Sequence, residues 1–363
     1  MKITFFHTGD LHLGLKFNNP RFSKSFRNNR RNELWDTFNN IVDRANKEKI
    51  DFLFITGDLY EEDYCNIGDI KRIKNKLKTL NKTKVILIAG NHDPLKDRSL
   101  YNLIEWPDNV YIIKNSSVNK LEFPQYNINI WGLSWNKKIE RDNILDNIKI
   151  EDKSKVNILL AHGDTLSSKS EYLPIDINKL DSFDYVALGH IHKHQFITDN
   201  IVYCGSPEPL DFGETGAHGI IKGSISKEKL DLELIELNKR NYIIEKVEIN
   251  ENMDYEEIID TIRSCSDKEV KNIFRIILTG FIDKDINLNI EDLERRFKND
   301  FYYVEIINNT VLDYDLEKIE RENKTNIIGH FIKEMKSMDT RDPIVKDALY
   351  EGLELLLKEK VIK

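Results

Sequence analysis

A carboxylate and an imidazole lie two residues apart near the start of the chain. Asp10 and His12 follow directly on an apolar run that stops at Gly9. In an extended backbone, side chains at this spacing point to the same side of the strand. The spacing therefore predicts that the two side chains emerge together at a strand end, where they would form half of a metal-binding set.

The same arrangement recurs at four further positions, where strand-like apolar runs end in acids, amides or imidazoles. The clusters are Gly57 with Asp58, Gly90 to Asp93, His162 to Asp164, and Gly189 to His192. Ligands of open α/β sheets bind beyond the carboxyl ends of the strands, which is where all the clusters fall. Each cluster alone is weak evidence, since a Gly-Asp pair is a common turn and a lone histidine usually has a structural role. Together they predict one metal centre with these candidate ligands: Asp10, His12, Asp58, Asn91, His162, His190 and His192.

This donor set is too large for one ion and suits two ions that share a bridging carboxylate. It mixes imidazole, carboxylate and amide groups without thiolate, which favours Mn²⁺ or Fe²⁺ over Mg²⁺ and leaves Zn²⁺ open. Two divalent ions about 3.5–4 Å apart activate a water and clamp the oxygens of a phosphoryl group. The predicted chemistry is phosphoester hydrolysis by in-line attack, with two divalent ions, preferably Mn²⁺, as cofactors.

The composition limits the class of protein. The chain has 363 residues, an apolar fraction of 40% and a net charge of −8. We expect a large domain with smaller additions and no uniformly basic, nucleic-acid-coating surface. The three cysteines show no paired metal or redox spacing, the start of the chain has no signal-peptide core, and no apolar run approaches the roughly 20 residues of a membrane span. These features predict a cytoplasmic protein without a membrane partner.

The elements that must position the clusters alternate between strands and helices. Apolar stripes over residues 33–47 and 70–80 predict two helices, which lead into buried strands over residues 52–56 and 85–89. From Val110 to about Leu237 the pattern is rich in strands. The expected class is α/β (α+β), with two sheets packed as a sandwich and helices outside.

We expect three domains, of which the sandwich occupies residues 1–238. Residues 239–312 alternate between strand and helix patterns, which predicts a small α+β domain. Residues 313–363 contain two amphipathic helical stripes, the second behind a helix start at Asp342 and Pro343. These stripes must be buried either on their own domain or on a partner, and both alternatives stay open.

Residues 16–31 form a basic segment without any acid, interleaved with three phenylalanines. Such a loop beside a metal site can bind a phosphate backbone and stack a base. The alternative is a solvated loop with its phenylalanines buried beneath it. The candidate DNA contacts in this segment are Lys16, Arg21, Arg27, Arg30 and Arg31.

In their order, the clusters resemble the motifs of the calcineurin-like metallophosphoesterase superfamily, over roughly the first 200 residues. The resemblance implies a four-layer β-sandwich with two ions. It implies that Asp10, His12 and His192 hold one ion, that Asn91, His162 and His190 hold the other, and that Asp58 bridges them. It also implies a catalytic His92, which donates a proton or stabilises the transition state and is oriented by Asp93. The spacing agrees, because neighbouring side chains in an extended backbone diverge, which frees His92 from the ion that Asn91 would bind.

Within the superfamily, the chain is similar to the SbcD-like DNA repair exonucleases in the basic segment up to Arg31, in residues 57–60 and in residues 204–214. This similarity implies a DNA exonuclease or endonuclease subunit for double-strand-break repair or end processing. It also implies a DNA-binding capping domain and C-terminal helices that bind an SbcC-like, SMC-family ATPase, and it leaves a homodimer open. Two positions depart from the family: Glu61 stands where several relatives carry a histidine, and Pro209 where many carry an arginine.

Three alternatives compete with the nuclease hypothesis. The same core would also suit a phosphodiesterase for a small nucleotide or another phosphoester, which would be indifferent to the basic segment. A scaffold subunit with a vestigial metal site is disfavoured by the complete ligand set. A serine/threonine phosphatase is disfavoured because Tyr60, Glu61 and Asp93 stand where that branch carries Asp, Arg and Glu.

Overall fold

The structure is a computed structural model that describes residues 1–267, 269–339 and 342–361. It divides into two compact units, Met1–Asn241 and Tyr242–Lys363. The finer boundary expected at residue 312, and the functions expected of the parts, stay predictions.

The first unit is built on two six-stranded sheets. In chain order its strands are β1 (Ile3–Thr8), β2 (Phe52–Thr56), β3 (Lys84–Ile88), β4 (Val110–Ile112), β5 (Asn119–Phe123), β6 (Ile128–Gly132), β7 (Val156–His162), β8 (Tyr185–Gly189), β9 (Gln195–Phe196), β10 (Ile201–Tyr203), β11 (Gly219–Ile225) and β12 (Leu230–Glu236). The first sheet has the order β12-β11-β1-β2-β3-β4 and the second β5-β6-β7-β8-β10-β9. Strands β1 to β4 run parallel, as do β6, β7, β8 and β10, so the carboxyl ends of each set meet at one edge.

Two helices cover the first sheet. Helix α1 (Lys24–Glu48) connects β1 to β2, and α2 (Ile67–Leu77) connects β2 to β3. Because both link adjacent parallel strands, right-handed crossovers put them on the same face. Helix α1 begins well before the apolar stripe at residue 33, since Ser23 caps it by accepting a hydrogen bond from the Phe26 amide. Much of the expected basic loop is therefore helical.

The two sheets pack face to face. Alternate residues such as Phe5 and Phe54 from the first sheet meet Ile130 and Ile158 from the second in one buried core. The outer face of the second sheet forms another core, which segments around residues 133–150 and 173–183 cover with loops and short 3₁₀ turns. The expected sandwich is confirmed, and within the described residues its α-helical layer lies on the first sheet.

The second unit contains a parallel sheet and five described helices. Its elements are β13 (Tyr242–Ile249), α3 (Tyr255–Ser264), β14 (Ile273–Asp283), α4 (Ile290–Arg296), β15 (Tyr303–Asn308), β16 (Val311–Asp313), α5 (Leu316–Glu322), α6 (Ile327–Lys336) and α7 (Pro343–Val361). Strand β14 pairs with the other three strands. The two predicted amphipathic stripes meet each other, because Leu353 of α7 packs on Ile328 and Ile332 of α6. None of the helices in the described ranges has the length and hydropathy that crossing a membrane requires.

Candidate metal centre

The carboxyl ends of five parallel strands bring the predicted ligands into one cluster, in which all but His190 and His192 are buried. Asp10 and His12 follow β1, Asp58 follows β2, Asn91 follows β3, His162 ends β7, and His190 and His192 follow β8. Side chains from β1, β2, β7 and β8 lie within metal-sharing distance of one another in two groups: Asp10 with His12 and His192, and Asp10 with Asp58 and His162. Their roles as ligands stay predictions.

His12 and His192 point their Nε2 atoms at each other, 3.0 Å apart. The Nδ1–H of His12 donates to Glu61 at 2.7 Å, and the Nδ1–H of His192 donates to Glu214 at 2.6 Å. When the rings are neutral, each Nδ1 carries the hydrogen and both Nε2 atoms present lone pairs. Two facing lone pairs repel each other and suit a shared cation, so this donor set fits a divalent ion.

His162 joins the second part of the centre. Its Nδ1–H donates to the Thr56 carbonyl at 2.8 Å, which leaves Nε2 2.9 Å from the Asn91 amide oxygen and 3.3 Å from an Asp58 oxygen. The His190 ring lies 5.3 Å from the His162 ring, centroid to centroid. Asp58 is thus placed between the two predicted sets, since its carboxylate also lies 3.8 Å from His12 Nε2.

The electrostatics around Asp58 and Asp10 favour positive charge at His162 and His192. Burial lowers the pKa of His162, but the Asp58 charge and hydrogen bond outweigh it and raise the pKa to about 9. Burial is likewise outweighed at His192, where the hydrogen bond to Glu214 and the Asp10 charge raise the pKa to about 9. Burial raises the pKa of Asp58, yet the surrounding imidazoles hold it well below its usual range. The carboxylates therefore stabilise cations in this pocket.

Glycine is required before two of the predicted ligands. A Cβ atom at Gly57 would stand 2.4 Å from His162 Nδ1, and one at Gly90 would stand 2.3 Å from Asp58 Oδ1. The ligands themselves adopt unusual backbone angles, since φ is +49° at Asp10 and at Asp58. Such left-handed conformations cost about 1–3 kcal/mol each in residues other than glycine and cluster at functional sites.

The prediction that Asp93 orients His92 is wrong. The buried Asp93 carboxylate accepts from the Gly90 amide at 2.6 Å and from the Tyr101 hydroxyl at 2.6 Å, so it holds the turn that carries the ligands. Burial and the Asp58 charge raise the pKa of Asp93 to about 6. The His92 ring instead lies with Nδ1 3.1 Å from an oxygen of Glu61, and 44% of its side chain is exposed.

Two carboxylates that hold predicted ligands are not identified by the sequence pattern. Glu61 stands out in the sequence only as a departure from a family histidine, whereas its carboxylate accepts from His12 and His92. Burial raises the pKa of Glu61, but these two hydrogen bonds lower it to about 2. Glu214 lies within the block of residues 204–214, which indicates the family but not this contact. Its second oxygen accepts from the Ser206 hydroxyl at 3.1 Å and the Leu210 amide at 2.9 Å.

Arg30 is wrong as a candidate DNA contact, because its side chain is fully buried. Its guanidinium pairs with Glu33, one turn along α1, and donates to the Pro209 carbonyl at 2.8 Å. It also lies 3.6 Å from Glu208. Arg30 therefore joins α1 to the loop of residues 204–214.

The remaining basic candidates keep access to solvent. Lys16 and Arg21 are exposed and Arg27 and Arg31 half-buried, while the Lys16 ammonium lies 4.5 Å above the Tyr64 ring. The three phenylalanines of the segment are buried, at 6–7% exposure. Their burial excludes them as stacking partners for bases in this structure and matches the alternative of phenylalanines beneath a basic surface.

Comparisons with known proteins agree with this centre. The calcineurin-like phosphoesterase family matches residues 3–194, a range that holds all the candidate ligands. The chain is 28% identical to the DNA double-strand break repair protein Mre11 of Sulfurisphaera tokodaii, over 100% of this chain and 97% of that protein. It is 26% identical to the SbcD component of the nuclease SbcCD of Staphylococcus epidermidis, over 92% of this chain and 93% of that protein.

A third relative has a name without a stated substrate. The chain is 27% identical to the uncharacterised metallophosphoesterase YhaO of Bacillus subtilis, over 62% of this chain, and it spans 59% of the length of that protein. The family match alone covers more than half of the chain and implies divalent metal ions. The chain therefore belongs to the calcineurin-like phosphoesterase family and is a phosphoesterase.

Proposed function

We propose that the chain is a DNA nuclease subunit, which hydrolyses phosphodiester bonds with two divalent ions, preferably Mn²⁺. The proposal extends to DNA double-strand-break repair or end processing, together with an SbcC-like, SMC-family ATPase. The observation that carries it is a set of donors, most of them buried, at five strand ends in a chain similar, over nearly its whole length, to Mre11 and to the SbcD component of SbcCD.

In this proposal each ion has its own donors and shares Asp58. Asp10, His12 and His192 would hold the first ion, and Asn91, His162 and His190 the second. Bound ions supply an activated water and neutralise charge on the phosphoryl group. The protein fixes the donors in advance, because the Nδ1 atoms of His12, His162 and His192 are already hydrogen-bonded to acceptors.

His92 is the proposed proton donor to the leaving oxygen. Its Nδ1–H is held by Glu61, so Nε2 is the nitrogen left for the substrate. Burial lowers the pKa of His92, but the Glu61 hydrogen bond and the Asp58 charge outweigh it and raise the pKa above its ordinary value. An imidazole that holds its proton more firmly than a free histidine is suited to proton donation, a role worth about 10²–10⁴ in rate.

The proposed DNA contacts are Lys16, Arg21, Arg27 and Arg31, which keep exposed or half-exposed positions. Side chains that neutralise phosphates release counterions, so binding through them weakens steeply with salt. The α6–α7 pair is the proposed site for the ATPase partner, where Ile344 and Leu355 of α7 remain exposed. We also propose a homodimer, and this proposal rests on the family resemblance alone.

The test is digestion of linear DNA by the purified full chain with Mn²⁺, Mg²⁺ or a chelator, with and without the cognate ATPase. We expect cleavage that requires Mn²⁺ and falls as salt rises. Alanine at Lys16 and Arg21 together is expected to reduce the slope of log affinity against log salt by about 1–2. Turnover of a small phosphodiester without any DNA binding or cleavage would instead favour a small-molecule phosphodiesterase and overturn the nuclease.

A further inference from the structure

Glu61 lies between the imidazoles of two residues of the candidate centre. One carboxylate oxygen is 2.7 Å from His12 Nδ1 and the other is 3.1 Å from His92 Nδ1. The side chain is buried, at 7% exposure for the residue. Its backbone is fixed as well, because the Glu61 amide donates to the Leu13 carbonyl and the Cys65 amide donates to the Glu61 carbonyl.

A carboxylate in this position determines which ring nitrogen carries hydrogen. Both oxygens are acceptors only, so both facing Nδ1 atoms must donate. For His12 this leaves the Nε2 lone pair toward His192, which is the form that binds a metal ion. For His92 it leaves Nε2 as the nitrogen that can act on a substrate.

We propose that Glu61 is a positioning residue that sets the tautomers of His12 and His92 together, so that ion binding and proton donation depend on one carboxylate. The second half of this statement rests on the proposed function, because it takes His92 as the proton donor. The first half stands on the geometry of Glu61 and His12 alone.

Glutamine is the informative replacement. Its amide has the same shape as the carboxylate but presents one acceptor oxygen and one donor NH₂ group. It can accept from only one of the two rings, and the other ring must then turn its Nδ1 lone pair toward the amide. If that ring is His12, Nε2 carries the hydrogen and no longer binds an ion; if it is His92, the nitrogen facing the substrate changes its protonation.

Glu214 offers a matched comparison with a narrower role. It accepts from the Nδ1–H of His192 only, and its other oxygen accepts from Ser206 and Leu210 rather than from a second imidazole. Glu214→Gln should therefore weaken ion binding without a separate effect on His92. Glu62→Gln is the control, since the Glu62 carboxylate pairs with the Lys96 ammonium at 2.6 Å rather than with an imidazole.

The experiment combines three measurements on the full chain and the three glutamine variants. Long-range ¹H–¹⁵N NMR of histidine-labelled, metal-free protein reports the tautomers, with signals assigned by single His→Gln replacements. Calorimetry with MnCl₂ reports ion affinity. Turnover of bis(p-nitrophenyl) phosphate at saturating Mn²⁺ reports kcat without requiring DNA.

At alkaline pH, where imidazoles are neutral, we expect the Nδ1–H tautomer at His12 and His92 in the unmodified chain and in Glu62→Gln, and a changed tautomer at one of them in Glu61→Gln. Glu61→Gln should lower Mn²⁺ affinity by about 10–100-fold if His12 changes, or kcat by about 10²-fold or more if His92 changes. Glu214→Gln should lower affinity only. Glu61→Asp keeps two acceptor oxygens, so its tautomers, Mn²⁺ affinity and kcat should be closer to those of the unmodified chain than those of Glu61→Gln. This variant also provides a test if Glu61→Gln fails to fold.

Unchanged tautomers in Glu61→Gln, or an affinity and kcat equal to those of Glu62→Gln, would overturn the inference. A Glu61→Asp variant more impaired than Glu61→Gln would overturn it as well. Failure of the proposed function is a different result: DNA would remain uncut while the tautomers and the Mn²⁺ affinity of Glu61→Gln still change.

Discussion

His12 and His192 lie 180 positions apart in the chain, yet their Nε2 atoms are 3.0 Å apart at the ends of β1 and β8. Their Nδ1 atoms are each held by a glutamate. Facing Nε2 atoms at this distance need a shared cation, either the proton that the raised pKa of His192 indicates or a metal ion that replaces it. The centre can therefore be tested by measuring ion binding, without any substrate.

Replacement of Asp58 by Asn should remove ion binding. Asp58 is the carboxylate between the two predicted ligand sets. The neutral amide that replaces it would leave His162 without its closest anion. We expect Mn²⁺ affinity to fall by at least 10–100-fold in calorimetry. Near-normal affinity in a folded Asp58→Asn variant would contradict the bridging role.

His92→Ala should separate binding from chemistry. His92 follows Asn91 but points to Glu61 rather than to the Asn91–His162 pair. The variant should bind Mn²⁺ as the unmodified chain does, while kcat falls by about 10²–10⁴-fold. Normal turnover at saturating Mn²⁺ would refute its assignment as proton donor.

Ion binding should stabilise the first unit against unfolding. A ligand that binds only the folded state adds about 2.7 kcal/mol at 100 times its Kd. We expect thermal unfolding of the full chain to move to higher temperature with Mn²⁺ and to return on chelation. The shift should be absent in Asp58→Asn, and its persistence there would point to ions bound elsewhere.

Arg30 and Arg27 should behave differently although both lie in the basic segment. Arg30→Ala leaves the buried Glu208 without its cation and removes one of the two arginines that pair with Glu33, the other being Arg240. Removal of one partner of a buried ion pair typically costs about 3–5 kcal/mol. Arg27→Ala removes a half-buried side chain and should change the free energy of unfolding by roughly 0.5 kcal/mol or less. Chemical denaturation measures both, and equal small losses would contradict the buried role of Arg30.

His7 should make the protein sensitive to acid. It is fully buried, its Nδ1 lies 2.8 Å from the Tyr185 hydroxyl, and burial lowers its pKa to about 3. Between pH 6.5 and about 3 the unfolded chain binds a proton here that the folded chain does not, so stability falls as pH falls, by up to about 1.4 kcal/mol per pH unit.

The matched variant for this effect is His7→Gln, which does not titrate. Urea denaturation of both chains between pH 4 and 7 should give a steeper loss of stability for the unmodified chain on the acid side. Parallel curves would show that His7 does not supply the acid sensitivity.

Much of the fold and the centre could be predicted because local signals carry them. The apolar stripes of α1 and α2 have helical spacing, and each group of candidate ligands follows a glycine at or just past the end of a buried strand, except His162, which ends its strand. In parallel strands, the residues just past the carboxyl ends all lie at the same edge of the sheet. The pattern around residues such as Asp58 is therefore sufficient to locate them.

The errors concern residues whose role depends on distant partners. Arg30 and Arg27 lie in the same basic segment, but Arg30 also contacts Glu208 and the Pro209 carbonyl, which is 179 positions away. Glu214 lies in a loop, 22 positions from its partner His192, and a loop has no repeating sequence pattern that would predict this contact. The sequence pattern places the start of α1 too late, because the first turns carry no apolar stripe and depend on the Ser23 cap.

The crowding at Gly57 and Gly90 has a consequence for how this centre can vary. A single methyl group at either position would overlap a side chain from a different strand, so alanine there would push His162 or Asp58 out of place without altering any donor atom. The absence of a side chain at these two glycines is therefore needed to keep the ligands in place. A comparison of ligand identities alone would not detect this requirement.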